Sequence, residues 1–216
     1  MRRYLRYALS DRDGEERLRE RGVVVAHTTV FRWLQRYAPE LDQRCRPQLN
    51  ATTDSSRVAE TDRKIQTPWH DRYRAVDSAG ATLAFLLRTS RDAAAAAPLF
   101  RKVLGARHTT LPRVLPVDPH AASPLACAAL QHDGTLPESG QRRQCQYCTN
   151  GIDPDHRCVT RRVNASLGCG ALATAPRTLQ GYDARHMLRK GQLEGGTKGN
   201  VLAQNHVINQ LCGLAA

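Results

Sequence analysis

The residue pattern richest in chemistry is a set of aspartates. Asp118 ends an extended run, RVLPVD, and Asp153 and Asp155 follow 35 and 37 residues later in DPDHRCVTRRV. A carboxylate at the end of a strand sits at the C-terminal edge of a sheet, where α/β folds place reactive groups. Two carboxylates from separate elements, set beside cationic residues, suit a divalent cation and a phosphodiester. The plainer reading of Asp153 is a helix cap, with Pro154 at N1 where a missing N–H costs nothing. On spacing alone capping is the simpler of the two, and both stay open. Cys145, Cys148, His156 and Cys158 form C-x2-C-x7-H-x-C. The first pair has zinc spacing, but H-x-C is shorter than the usual spacing of a ligand pair, so no standard zinc motif results. LGCG at 167–170 has neither a preceding strand nor a Lys and is not a phosphate loop.

These residues need elements to position them. Ser10 with Asp13 reads as the start of a helix to about Arg21, weakened by Gly14 and closed by Gly22 at C′. A second helix, capped by Thr28 or Thr29, runs through TVFRWLQRY and is expected to stop before Pro39. Val30, Trp33, Leu34 and Tyr37 fall at core spacing. His27 just before the helix, and Thr28, Arg32, Gln35 and Arg36 on it, would face outward. Helix, tight turn, helix with a basic face is the helix-turn-helix pattern, which any basic helical hairpin also resembles. Residues 39–56, polar and with two prolines, read as a linker. Short β-like runs follow at 57–65, 72–76, 81–87 and 113–117, with helices at 91–104, 119–131, 153–163 and 175–192. Strands followed by alternating helix and strand define an α/β domain with a mixed sheet.

Composition narrows the partners. The 216 residues carry 32 Lys and Arg against 20 Asp and Glu, and 28 of the cations are Arg. Half of the net charge of +12 sits in residues 141–216. Guanidinium suits phosphate and guanine edges, so double-stranded DNA is the first partner considered. A GC-rich genome would explain Arg over Lys but not the sign of the charge. Hydrophobic residues at 41% are enough for a core and exclude wholesale disorder. No apolar run is long enough to span a bilayer and the N-terminus has no apolar signal region, so a cytoplasmic protein is expected. Seven cysteines, an odd number without an export signal, argue against disulfides.

The chain resembles the DDE transposases of bacterial insertion sequences, in the insertion sequence six family. YLRYALS near the start, HTTVFRWLQRYAPEL at 27–41, YRAVDSAGATLAFLL at 73–87 and TSRDAAAAAPLFRKVL at 89–104 carry the resemblance. GTLPESGQRRQ at 134–144, DHR at 155–157, TLQGYDARHMLRKGQ at 178–192 and VLAQNHVINQLCGLAA at 201–216 complete it. It implies an N-terminal helix-turn-helix that binds terminal inverted repeats and a ribonuclease-H-like mixed-sheet catalytic core. It also implies an Asp, Asp, Glu set holding two Mg²⁺ ions for strand cleavage and transfer. The regions would be a truncated helix-turn-helix at 1–38, the linker at 39–56, the core at 57–193 and a tail at 194–216. The chain begins downstream of the family's first helix.

The departures from the family pattern fall on the chemistry. Its first Asp is Ala59 in RVAET, and Glu60 cannot replace it because neighbouring strand residues point to opposite faces. The second is kept as Asp118. The third, a Glu, is Asp153, one methylene shorter. Asp118 and Asp153 are therefore the expected catalytic and metal-binding residues of an impaired site. HDRYR and Pro116 stand within strands and predict a weakened scaffold. Cys158, Cys169 and Cys212 occupy positions where the family has Phe, and Cys145 and Cys148 apolar positions, which lowers the zinc reading further. DNA contacts are expected from His27, Thr28, Arg32, Gln35 and Arg36, and from Arg157, Arg161 and Arg162 on the basic helix. A homodimer is left open. The sequence thus reads as a transposase-family protein impaired in catalysis. The alternatives are a non-catalytic DNA-binding protein that represses or interferes with an intact relative, and a decayed reading frame whose product hardly folds.

Overall fold

The computed structural model describes residues 2–53, 56–64, 69–88, 93–106, 108–110, 114–117, 131–132, 134, 141–144, 153–165 and 171–214. Its elements are α1 (Arg2–Arg6), α2 (Asp11–Arg19), α3 (His27–Cys45), a 3₁₀ turn (Arg46–Gln48), β1 (Ser56–Lys64), β2 (Trp69–Asp77) and β3 (Thr82–Arg88). They continue with α4 (Ala93–Leu104), β4 (Val114–Val117), β5 (Gln141–Gln144), α5 (Asp153–Ala165), α6 (Ala175–Lys190) and α7 (Val201–Cys212). The expected segment 119–131, apart from residue 131, and Asp118 itself lie outside the described residues, as do Cys127, Cys145, Cys148 and Cys169.

Two compact units form, Met1–Asn50 with Arg157–Ala216, and Ala51–His156. They cut across the linear order read from the sequence, because the last third joins the N-terminal helices.

In the unit Ala51–His156, β1, β2 and β3 form an antiparallel meander, and β4 pairs with β5 in parallel. Tyr73 and Ala75 of β2 and Leu83 and Ala84 of β3 pack with Leu99, Phe100 and Val103 of α4 into a buried cluster. The charges of HDRYR do not interrupt β2, which pairs along its length with β1. Tyr73 and Ala75 alternate with Arg74, so the two apolar side chains share the face that packs on α4 and Arg74 lies on the other. Pro116 is likewise accommodated within β4, at the register of Arg143. Asp77 closes the β2–β3 turn, its Oδ1 accepting from the Ala81 amide at 2.7 Å and its Oδ2 from the Thr53 amide at 3.1 Å.

In the other unit, α2 starts with a capping box. Asp13 N–H donates to Ser10 Oγ at 3.1 Å, and Ser10 N–H to Asp13 Oδ2 at 2.8 Å. The Ser10 amide, and after it the Ser10 hydroxyl, hold the Asp13 carboxyl below its ordinary value. Gly14, read as a weak point, is buried where α2 meets α3; a Cβ there would lie 3.2 Å from Val30. Gly22 takes φ +75°, and the Gly22 and Val23 amides return to the Arg19 and Leu18 carbonyls, the expected left-handed closure.

The second helix departs from expectation at both ends. α3 begins at His27 with no side-chain cap from Thr28 or Thr29. Glu15 of α2 takes that role, accepting the His27 N–H at 2.8 Å. Nor does α3 stop before Pro39; it continues to Cys45. An interior proline costs about 3 kcal/mol, and the packing of the C-terminal half offsets it. Ala38 is buried, and Cys45 and Leu49 join Ala184, Met187 and Leu188 of α6, Leu193, and Val207 and Leu211 of α7 in one cluster. Carrying the helix on moves the buried stripe to Val30, Leu34, Ala38, Asp42 and Cys45, leaving Trp33 half-buried and Tyr37 exposed. Gly181 of α6 lies against this stripe, and a Cβ on it would meet the Ala38 Cβ at 2.7 Å. α7, read as a tail, is a docked helix capped by Asn200, whose side chain accepts from the Ala203 amide at 3.1 Å.

Candidate functional site

The first candidate site is the charged face of the meander. Ala59 of β1 is the register partner of Arg74 of β2. Cross-strand partners share a face in an antiparallel pair, so position 59 lies on the face of Arg74, and Glu60, paired with Tyr73, lies on the other. Arg74 is fully buried. Its Nε stands 3.7 Å from Asp155 Oδ2 at the start of α5, and its Nη2 donates to Thr82 Oγ1 at 3.4 Å. Thr82 Oγ1 in turn donates to Asp155 Oδ2 at 3.2 Å. Asp155, one of the three aspartates singled out in the sequence, therefore ties α5 to the sheet. Asp153 is the first residue of α5; the placement of its side chain lies outside the described residues.

A pair of divalent ions is held by several carboxylates. On this face β1 has an alanine at position 59, and the neighbour across the register is a buried guanidinium facing the described carboxylate, Asp155. Among the described residues no group of three or more His, Cys, Asp or Glu is placed to hold a metal ion.

The second candidate site belongs to the unit that contains the N-terminal helices. A cleft of about 480 Å³ is lined by Arg6, Arg157, Cys158, Arg161, Arg162 and Arg189, among others. Arg157, Arg161 and Arg189 are exposed. Arg162, expected to contact DNA, is buried instead. Its Nη2 and Nε donate to the Arg6 carbonyl at 3.2 and 3.4 Å, and its Nη1 to Cys158 Sγ at 3.0 Å. It spends its donors on the end of α1, where helix carbonyls lack internal partners. His186 Nδ1 of α6 stands 3.5 Å from the same sulfur. The Cys158 thiol is pulled down to about 6. Its hydrogen bond with His186 contributes most; burial opposes this, and the charges of His186 and Arg162 add to the lowering.

On α3, Thr28, Arg32 and Arg36 are exposed, as expected, and His27 is half-buried with its Nδ1 3.3 Å from Glu15. Gln35 is not outward-facing. Its Nε2 donates to Thr178 Oγ1 of α6 at 2.8 Å, because α6 covers that side of the helix. The sequence reading missed the pairing of Cys158 with His186, which lie 28 residues apart with no local motif. It also missed Arg74 as the partner of Asp155.

An antiparallel meander followed by a parallel strand pair and helices is a mixed α/β arrangement consistent with a ribonuclease-H-like core. A family model described as a DDE domain, of the IS240 transposase type, matches residues 53–192. The transposase for insertion sequence-like element IS431mec of Staphylococcus aureus is 34% identical over 187 residues, which cover 87% of this chain and 81% of that protein. The transposase for insertion sequence element IS257 in transposon Tn4003, also from Staphylococcus aureus, matches to the same extent. The chain belongs to the DDE transposases of the insertion sequence six family. DNA is the partner this family implies, and DDE domains generally use divalent metal. No helix among the described residues is long and apolar enough to cross a membrane.

Proposed function

We propose that this chain is a DNA-binding transposase-family protein that holds the terminal inverted repeats of an insertion sequence but does not cut or join strands. The observation that carries the loss of chemistry is position 59, an alanine in register with the buried Arg74. A transposase core without a carboxylate at position 59 keeps Asp118 and Asp153 for metal, short of the bridged pair that in-line displacement uses.

DNA binding is supported by exposed cations on two helices of one unit. Arg32 and Arg36, with Thr28 and His27, present the N-terminal half of α3, the part of a recognition helix that meets base edges. Arg157 and Arg161 extend the basic surface along α5. In this reading α2, the Gly22 turn and α3 act as the helix-turn-helix, residues 1–38 serve docking, and 57–193 are the remnant of the catalytic core in the cytoplasm; 39–50, expected to be linker, instead continue α3 and pack in its cluster. Arg162 and Gln35 act by holding α1 and α6 in place. Such a protein would interfere with an intact relative by occupying its repeats, which the intact packing of α3 on α6 favours over a chain that hardly folds.

Gel shifts of the full chain on inverted-repeat duplex, with and without Mg²⁺ or Mn²⁺, test the proposal. Salt-dependent binding without cleavage is expected. Mn²⁺-dependent cleavage abolished by Asp118→Ala would overturn the loss of activity, and binding that ignores salt would overturn the DNA reading.

A further inference from the structure

Cys158 is set up as a nucleophile. Its sulfur is half-buried in the lining of the arginine cleft, 3.0 Å from Arg162 Nη1 and 3.5 Å from His186 Nδ1. A guanidinium donor and an imidazole from two helices therefore converge on one sulfur, a setting that stabilises thiolate over thiol. The cleft beside it is lined by Arg157, Arg161 and Arg162 on its own helix, Arg189 on α6, and Arg6 and Tyr7 at the end of α1, and His186 of α6 meets the sulfur itself. None of these is acidic. The other described cysteines lack this setting. Cys45 is wholly buried, and burial pushes its thiol up to about 12; Cys212 is exposed at the end of α7.

We propose that Cys158 is a site of thiol–disulfide exchange with small disulfides that carry carboxylates, which the arginines of the cleft seat beside the sulfur. The thiolate attacks one sulfur of R–S–S–R, a new S–S bond forms to Cys158, the old S–S bond breaks, and R–S⁻ leaves with the electron pair. Cys158 and one R–S half become the mixed disulfide, and the other half is the reduced product, protonated by water according to its own pKa. The chain's existing groups supply the rest: exposed Arg157, Arg161 and Arg189 hold the carboxylates, and Arg162 and His186 hold the sulfur in its charged form. This inference does not depend on the DNA reading, since it asks only for an accessible thiolate in a basic cleft.

The size of the effect follows from two opposing terms. At pH 6 a thiol titrating near 6 is about half ionised, against roughly 0.3% for an ordinary thiol near 8.5. Lower basicity weakens the nucleophile by roughly 10–20-fold at a Brønsted slope of 0.4–0.5. The surplus is on the order of tenfold for Cys158 over an ordinary thiol at pH 6.

The experiment uses the full chain with 5,5′-dithiobis(2-nitrobenzoate), which bears two carboxylates, and with uncharged 4,4′-dithiodipyridine. Occupancy at each cysteine is read by peptide mass mapping across pH 5–9. Cys158 is expected to react first with the anionic reagent, with a rate midpoint near pH 6. Arg157→Ala with Arg161→Ala, both on exposed positions, should remove most of the preference for the anionic reagent while leaving the rate with the neutral one. A rate midpoint near 8.5, or labelling of Cys158 no faster than Cys212 at pH 6, would overturn the activated thiolate. An unchanged reagent preference in the double variant would overturn the role of the cleft.

Discussion

Glu15 of α2 accepts the first free backbone N–H of α3, that of His27, at 2.8 Å, and pairs with Arg19 at the same distance. A neighbouring helix thus supplies the cap that Thr28 and Thr29 do not. The carboxylate also faces the positive end of the α3 dipole. The His27 amide, more than any charge, holds the Glu15 carboxyl below its ordinary value.

Glu15→Ala should therefore lower the melting temperature at neutral pH. A carboxyl whose folded value is depressed stabilises above its unfolded value and loses that contribution as pH falls through the folded one. The difference between wild type and variant should be full at pH 7 and vanish well below pH 4. Thermal melts at pH 7 and pH 3 measure it; an equal difference at both would show that the carboxylate charge is not what caps α3.

The crossing of α3 and α6 depends on the absence of a side chain at Gly181. An added Cβ would sit 2.7 Å from the Ala38 Cβ, which is fixed to the backbone and cannot swing away. Overpacking costs about 1–3 kcal/mol, while exchanging helical Gly for Ala gains about 1. Gly181→Ala should come out destabilised by about 1 kcal/mol, and adding Ala38→Gly should recover part of it by opening the contact. Urea denaturation of both variants decides; additive losses would mean the two positions do not touch in the way the geometry requires.

Much of the fold was legible in the sequence, for local reasons. The Ser10–Asp13 box, the Gly22 turn and four strand runs announce themselves within a few residues, and each forms with small shifts at its ends, while β5 (Gln141–Gln144) was not read. What escaped was tertiary. Pro39 is a local stop signal, overridden because Ala38 and Cys45 gain burial against α6 and α7. Gln35 and Arg162 look like surface DNA contacts by residue type, yet one bonds Thr178 and the other the Arg6 carbonyl, partners 143 and 156 residues distant. The same applies to the candidate sites. The alanine at position 59, which the proposal rests on, was readable, because it is a residue type at a strand position. The Arg74–Asp155 tie and the Cys158–His186 pair were not, since each joins separate elements.

DNA binding separates exposed from buried arginines. Each phosphate contact adds about 0.9 to the log–log salt slope. Arg157→Ala with Arg161→Ala should flatten the slope by about 1.8 if both touch phosphate, with little change in melting temperature. Arg162→Ala should instead lower stability by on the order of 1–3 kcal/mol through the Arg6 carbonyl it leaves unpaired. A salt series of gel shifts beside thermal melts measures both. The reverse pattern would place Arg162 on DNA and the other two in a structural role.

The last prediction tests the proposed ligand set. Ala59→Asp puts a carboxylate on the face of Arg74, and Asp153→Glu lengthens the reach of the proposed third ligand. Arg74 is the competitor, since a buried guanidinium attracts the new carboxylate as a cation would. Its charge is already met by Asp155 at 3.7 Å, with Thr82 bridging the two, so the added carboxylate is left to find a different partner. Mn²⁺ is the better probe, because Mg²⁺ insists on near-octahedral geometry and gives up water reluctantly. The double variant should therefore gain a Mn²⁺-dependent rise in melting temperature, about 2.7 kcal/mol at a hundredfold excess over the dissociation constant. Wild type should show none, and Ala59→Asp alone should show less than the pair. The gain should disappear when Asp118→Ala is added. If the double variant takes up no Mn²⁺ while melting as cooperatively as wild type, ligand count is not what separates this chain from a working transposase. Asp155→Asn in that background would then test whether Arg74 has claimed the new carboxylate, because freeing Arg74 from Asp155 should tighten that hold and stabilise the double variant relative to Asp155→Asn alone.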